Sequence, residues 1–272
     1  MKNCSHLRLA LVLAGQALLA SAPADAQVAG TPDPQPTAEQ SIVYKPREPA
    51  GSNELMSSLL SVRHDFGAPE VTESGGTRGA APAGDAPGAR TALPDVFVLA
   101  PPQLAHSLSP QPTLYWYLSG PSRVPVRVTL LDLEAASPEP LVELDLGVVP
   151  AAGVYATSLA KQGIRLEPGR RYEWSVALEV NPDAYSEEPV AKTIFATAGT
   201  DPTLLPKLAG APPLARIEVL AAAGYWYDAL ELLAQQIAAD DRSQPWRELS
   251  ATLLEQARLE QVAAFARGEA TQ

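Results

Sequence analysis

Between residues 94 and 199 apolar side chains recur at every second position in short runs, whereas beyond Thr200 they recur every three to four. Seven runs of the first kind stand at 95–99, 112–118, 124–132, 140–146, 153–159, 170–180 and 190–198. Turn sequences such as PSRVP, SPEP, PAAG, EPG and NPD separate them. The clearest alternation is in 170–180, where Tyr172, Trp174, Val176 and Leu178 fall on one side and Arg171, Glu173 and Ser175 on the other. Successive side chains of a strand point to opposite faces, so this run predicts one dry and one wet face. Seven short strands in about a hundred residues predict an antiparallel β-sandwich of immunoglobulin or fibronectin type. LEPGRRY (166–172) also has the form of a tyrosine corner, with Tyr172 bonding back to the backbone beyond the Pro-Gly bend.

The helical period begins with PPLARIEVLAAAG (212–224), which starts with Pro and stops at Gly. WYDALELLAQQIAAD (226–240) carries Ala229, Leu230, Leu233 and Ile237 as one broad apolar stripe. PWRELSATLLEQAR (245–258) starts again with Pro. The expected architecture is therefore mainly β with an α-helical C-terminus. The sandwich is expected over 94–199, and the helical region 200–272 is expected to pack on it.

Upstream, the first 26 residues read as a secretory signal peptide. Lys2 and Arg8 are its basic part, LALVLAGQALLA its apolar part, and ADA its cleavage site, placing the cut before Gln27. The expected location is periplasmic or secreted, with no membrane span, because no apolar run approaches the ~20 residues a spanning helix needs. Cys4, the one cysteine, lies in the leader, so a mature chain would have no disulfide and no thiolate chemistry. Residues 27–93 contain eight prolines and only two aromatics, Tyr44 and Phe66, and predict a flexible Pro/Gly-rich tail. Within it, ELMSSLLSVRHDF (54–66) is the one amphipathic stretch. Removing Lys2, Arg8 and Asp25 leaves 18 basic and 30 acidic residues, a net charge of −12. With no basic stripe to neutralise phosphates, nucleic acid is excluded as a partner.

Two identical aromatic trios stand out: Tyr115-Trp116-Tyr117 and Tyr225-Trp226-Tyr227. On a strand, Trp116 shares a face with Leu114 and Leu118 and belongs to the core together with Tyr172 and Trp174, the last its expected partner across the sheets. Tyr115 and Tyr117 then share the opposite face. There they would stack on a sugar or peptide, pair across strands, or be covered by another element. On a helix, Tyr225, Trp226 and Tyr227 are ~100° apart and cannot share one face. Core or inter-domain packing is favoured for them over a ligand box, and Tyr115, Tyr117, Tyr225, Trp226 and Tyr227 remain candidate binding residues.

GYWYDALELLAQQIAADD is similar to the second helix of a tetratricopeptide repeat, and PWRELSATLLEQ to the first helix of a following one. Such solenoids use at least three units, so a shorter array must bury its faces on something else. Together with GGTRG (75–79), TALP (91–94), LAPPQLAHSLSPQPTLYWYL (99–118), LEPGRRYEWSV (166–176) and AAAGYWYDALELLA (221–234), these segments resemble a bacterial family catalogued as domain of unknown function 928. The resemblance covers roughly 75–265 and implies an exported protein with a β-rich part followed by helices. It implies no activity.

Motifs for chemistry are sparse. His64 and His106 are the histidines beyond the leader, without HExxH, and no GxSxG elbow occurs. Glu143, Asp145, Glu173 and Glu179 fall on wet strand faces, where no apolar setting marks a glycosidase pair. SGGTRG follows no strand, so it is not a nucleotide loop. No metal and no cofactor are expected. The expected function is a non-enzymatic periplasmic interaction module whose partner is another periplasmic or envelope protein. The alternative is a carbohydrate-binding sandwich using Tyr115 and Tyr117.

Overall fold

The computed structural model describes residues 35–37, 40–47, 93–137, 139–180, 190–240 and 243–269. The leader and the 54–66 stretch lie outside the described residues. All seven β-type runs form strands: β1 Val96–Val98, β3 Thr113–Leu118, β4 Pro125–Asp132, β5 Val142–Val148, β6 Gly153–Ser158, β7 Arg171–Leu178 and β8 Val190–Thr197. An eighth, β2 Ala105–Ser107, sits in the QLAHSLSPQ segment. The strands make two sheets, β1-β3-β6 and β2-β8-β7-β4-β5. Every pairing is antiparallel except β2 with β8, which is parallel in the register Ala105↔Phe195, His106↔Ala196 and Ser107↔Thr197. Three residues between Leu104 and Leu108 are too few for an alternation to be read, which is why the parallel pair was not foreseen.

In the larger sheet the expected alternation holds. Tyr172, Trp174, Val176 and Leu178 of β7 are buried, and their partners across the strand pairs, Phe195, Ala191, Val126, Val128 and Leu130, are buried with them. The other face is wet and charged: Arg127 pairs with Glu143 at 2.8 Å and with Glu179, and Lys192 with Glu173 at 3.7 Å. Tyr172 Oη accepts the backbone N–H of Glu167 at 2.9 Å, the contact expected of the Pro-Gly corner. Gly169 at that bend has φ +79°, a conformation open to glycine at little cost.

In the smaller sheet, β1 and β3 do not alternate. Val96, Phe97 and Val98 of β1 are all buried, as are all residues of β3 except the half-buried Tyr115. A strand buried at consecutive positions is covered on both faces. β1 packs against β7 and β8 of the larger sheet, and the helices supply the second cover.

Five helices follow: α1 Leu205–Leu208, α2 Pro213–Ala222, α3 Trp226–Ala239, α4 Gln244–Gln256 and α5 Glu260–Arg267. Consecutive helices pack on one another, α2 on α3, α3 on α4 and α4 on α5, while α3 also packs on β2 and β3. The last helix was not foreseen as a separate element. Leu259 breaks the helical path before it, and Gly268 closes it at φ +81°. Helices and sheets share one hydrophobic core, which runs from Val126 and Trp174 through Trp226 and Leu233 to Leu254 and Val262.

The reading of 27–93 as one flexible tail is corrected at its N-terminal end. Residues 40–47 lie in defined contact with the helices, with Ile42 1% and Tyr44 8% exposed. Isoleucine and tyrosine two apart supply the apolar area that the surrounding Pro-rich composition lacks.

Candidate functional site

The best-defined polar constellation is where α3, the loop after β2 and the segment 40–47 meet. Asp228, in the first turn of α3, faces the β2–β3 loop. Its Oδ2 accepts the backbone N–H of Leu108 at 2.7 Å and its Oδ1 that of Ser109 at 2.9 Å. A carboxylate near a helix N-terminus is favoured by the helix dipole. Burial works against its charge and outweighs the two N–H bonds, so the carboxyl is pushed up to about 6. Both oxygens are spent on holding the loop to the helix.

The aromatic residues before it fan out in three directions. Tyr227 is fully buried, stands against Phe195 of β8 at 4.8 Å, and its hydroxyl accepts Trp174 Nε1–H at 2.9 Å. Trp226 Nε1–H donates to the carbonyl of Leu99, just beyond β1, at 2.8 Å. Tyr225, at the helix start, donates its hydroxyl to Asp201 Oδ2 at 3.0 Å and accepts from Arg47 Nη1, while the Arg47 guanidinium stands 5.1 Å over its ring. Burial, followed by the neighbouring Asp201, pushes the Tyr225 phenol up to about 12. Bonds from Thr203 and Tyr225, then from Arg47, hold the Asp201 carboxyl down at about 2.

Around this cluster the segment 40–47 lies extended across the helices. The amide side chain of Gln256, at the end of α4, reads its backbone twice: Nε2 donates to Ile42 O at 2.7 Å and Oε1 accepts Tyr44 N–H at 2.8 Å. Lys45 N–H donates to Ala221 O of α2 at 3.1 Å. The Tyr44 ring meets Trp226 edge-on at 5.1 Å. Gly224, at φ +82°, makes this approach possible. A Cβ there would come within 2.8 Å of both the backbone N and the Cβ of Arg47, and within 2.9 Å of Lys45 O.

His106 is part of β2, buried at 9% exposure and held below its ordinary pKa first by burial and then by Arg47. Among the described residues no three His, Cys, Asp or Glu side chains gather as metal ligands. No helix among them is long and apolar enough to cross a membrane.

The structure brings Tyr225, Trp226 and Tyr227 into one junction and keeps Tyr115 and Tyr117 apart from it as packing residues. Tyr117 is fully buried, against Phe265 of α5 at 5.0 Å and Phe97 at 6.2 Å. Thr113, on the same face of β3, donates to Glu231 of α3 at 3.1 Å, and Tyr115 is pushed up in pKa by burial and then by the same Glu231. This face is therefore covered by another part of the chain, one of the outcomes open to it from the sequence. Helices α3 and α5 lie over it, so the sugar-stacking platform is not favoured. On the other face Trp116 takes Tyr155 as its ring partner, stacked at 4.7 Å across the strand pair, while Trp174 reaches Tyr227.

Sequence reasoning missed Asp228, Gln256, Gly224, Asp201 and Arg47. Asp228 looks like an ordinary first-turn acid, and Gln256 like a solvated helix position. The one available signal for their role was the SIVY stretch, the apolar-aromatic pairing nearest the start of an otherwise Pro-rich segment.

The sequence profile of one family, described as Domain of Unknown Function (DUF928), matches residues 73–266. A search of curated proteins finds no match to the chain.

Proposed function

The chain belongs to the DUF928 family, and we propose that it is an exported, non-enzymatic protein-binding module whose helical face holds an extended polypeptide segment. The observation that carries this is the double contact of Gln256 with the main chain of Ile42 and Tyr44. Side-chain amides that pair with both a C=O and an N–H of an extended chain recognise backbone, the common currency of peptide-binding surfaces. Export rests on the basic, apolar and small-residue order of the first 26 residues.

In this reading the two sheets form an immunoglobulin-like sandwich. Helices α2 to α5 form two tetratricopeptide-like hairpins, too few to bury their own faces and therefore seated on the smaller sheet. The non-enzymatic reading is supported by the use made of the most perturbed groups. Asp228 spends both oxygens on the 108–109 backbone, and Tyr225 and Asp201 are tied to Arg47.

The test is retention of envelope proteins from the producing cell on immobilised mature chain, beside a column of the Gln256→Ala variant. A protein identified on the first column and lost from the second supports the reading. Equal retention on both columns, or none, rejects it.

A further inference from the structure

We propose that Ile42–Arg47 is a resident ligand of the helical groove, displaceable by an extended segment of a second polypeptide with the same pattern: aliphatic residue, aromatic two positions on, arginine three further. This rests on the reading of the helices as a peptide-binding surface and identifies what that surface selects.

Three observations converge. First, the residues that hold the segment, Asp201, Ala221, Tyr225, Trp226 and Gln256, all lie within the matched family region of 73–266, whereas the segment itself lies before it. The groove belongs to the family pattern and its occupant does not. Second, the contacts divide as they do in peptide recognition. Main-chain bonds from Gln256 and Ala221 fix an extended backbone, while alternate side chains supply selectivity. Ile42 and Tyr44 point in, and Val43 between them is 55% exposed. Third, the groove is shaped for a backbone. Gly224 has no side chain where the chain passes, and any Cβ there would overlap it.

The selectivity is readable in detail. Tyr44 Oη is buried and has no hydrogen-bond partner among the described residues, so the pocket beside Trp226 selects an aromatic ring and not its hydroxyl. Phenylalanine at that position of a partner peptide is accepted at least as well as tyrosine. At the far end, Asp201 and the Tyr225 ring select the guanidinium through an ion pair at 3.3 Å and a cation–π contact. Lysine lacks the planar fork and binds less well there. Among the described residues no strand ladder ties the segment down, so its opening is local: it withdraws Ile42 and Tyr44 from the shared core and leaves the strand and helix pairings in place.

The experiment uses the full mature chain and a fluorescent peptide of residues 40–47, QSIVYKPR, with a scrambled control. In fluorescence anisotropy, the double variant Ile42→Ala/Tyr44→Ala, whose own segment is weakened, is expected to bind the peptide saturably. The wild-type chain is expected to bind at least tenfold more weakly, because its tethered segment competes. Absence of saturable binding to the double variant, or equal affinity for both chains, overturns the proposal. A second measurement covers a variant that fails to fold: hydrogen exchange on the unmodified chain. Tyr44 and Lys45 amides exchanging at least tenfold faster than the Trp174 amide support local opening, and equal rates overturn it. A negative peptide result beside a positive column experiment rejects this inference alone. Failure of the column experiment rejects the binding reading itself, whatever the peptide result.

Discussion

The same three residues, Tyr-Trp-Tyr, occur in β3 and at the start of α3, and the two copies do different work. In β3 the pleat sends Trp116 to one face and Tyr115 and Tyr117 to the other, and the polar tips of Trp116 and Tyr117 have no hydrogen-bond partner among the described residues. They fill space between a sheet and its covers. At α3 the helical twist sends each ring toward a different element, and each polar tip is bonded: Tyr225 to Asp201 and Arg47, Trp226 to Leu99, Tyr227 to Trp174. The second trio fixes the relative positions of three parts of the chain. Identical composition therefore says little about role until backbone period and hydrogen bonding are added.

Substitutions separate the two roles. The largest effect is expected for Trp226→Ala, which removes a fully buried ring and its bond to Leu99, at a cost of about 3–5 kcal/mol in urea unfolding. A Trp226 variant within 1 kcal/mol of wild type would place that ring outside the core. Next is Asp228→Asn, in which one face of the amide presents N–H to a backbone N–H, at a cost of about 1–3 kcal/mol at neutral pH.

Asp228 also sets a pH dependence. Unfolded, its carboxyl titrates near the ordinary 3.8, and folded near 6. Between those values the native state holds more protons, so wild-type stability falls as pH rises through the window and levels off above it. The step is on the order of 3 kcal/mol and should be missing from the Asn variant. Asp201, held near 2, acts in the opposite sense, contributing stability above about 4 that is lost as pH falls further. Melting temperatures of wild type and D228N from pH 4 to 7 distinguish the two, and parallel curves would remove Asp228 as the source.

Gly224→Ala follows, at about 1–3 kcal/mol for the left-handed backbone alone. It should also release 42–47, seen as faster exchange of the Tyr44 amide; unchanged exchange would mean that the segment does not depend on that gap. The smallest effects make the sharpest comparison. Tyr227→Phe leaves the Trp174 N–H unpaired and is expected to cost about 1–2 kcal/mol. Tyr117→Phe removes a hydroxyl without a partner and should stay within about 0.5 kcal/mol of wild type. Equal costs for the two would erase the distinction between the trios.

Period alone made most of the elements legible. Alternation in 170–180 gave β7 and its buried face, and Pro starts with a Gly stop bracketed the helices. It failed wherever a residue's surroundings came from a distant element. Tyr117 occupies what the pleat marks as the outer face, yet α5 brings Phe265 over it. Three-residue β2 pairs in parallel with a strand some ninety positions on, and nothing local announces that. Most of the junction was illegible for the same reason, since Asp228 and Gln256 act on backbone groups, which carry no signature in the identity of the residues that own them.

One consequence of the Gln256 contacts concerns the order in which the chain becomes whole. Its bonds to Ile42 and Tyr44 join positions 214 and 212 apart, and Asp228 bonds Leu108 across 120. A topology closed by such distant partners has a high contact order and belongs among the slow folders. Synthesis from the N-terminus delivers Ile42 and Tyr44 long before Gln256. Throughout that interval the first segment is present without its cradle.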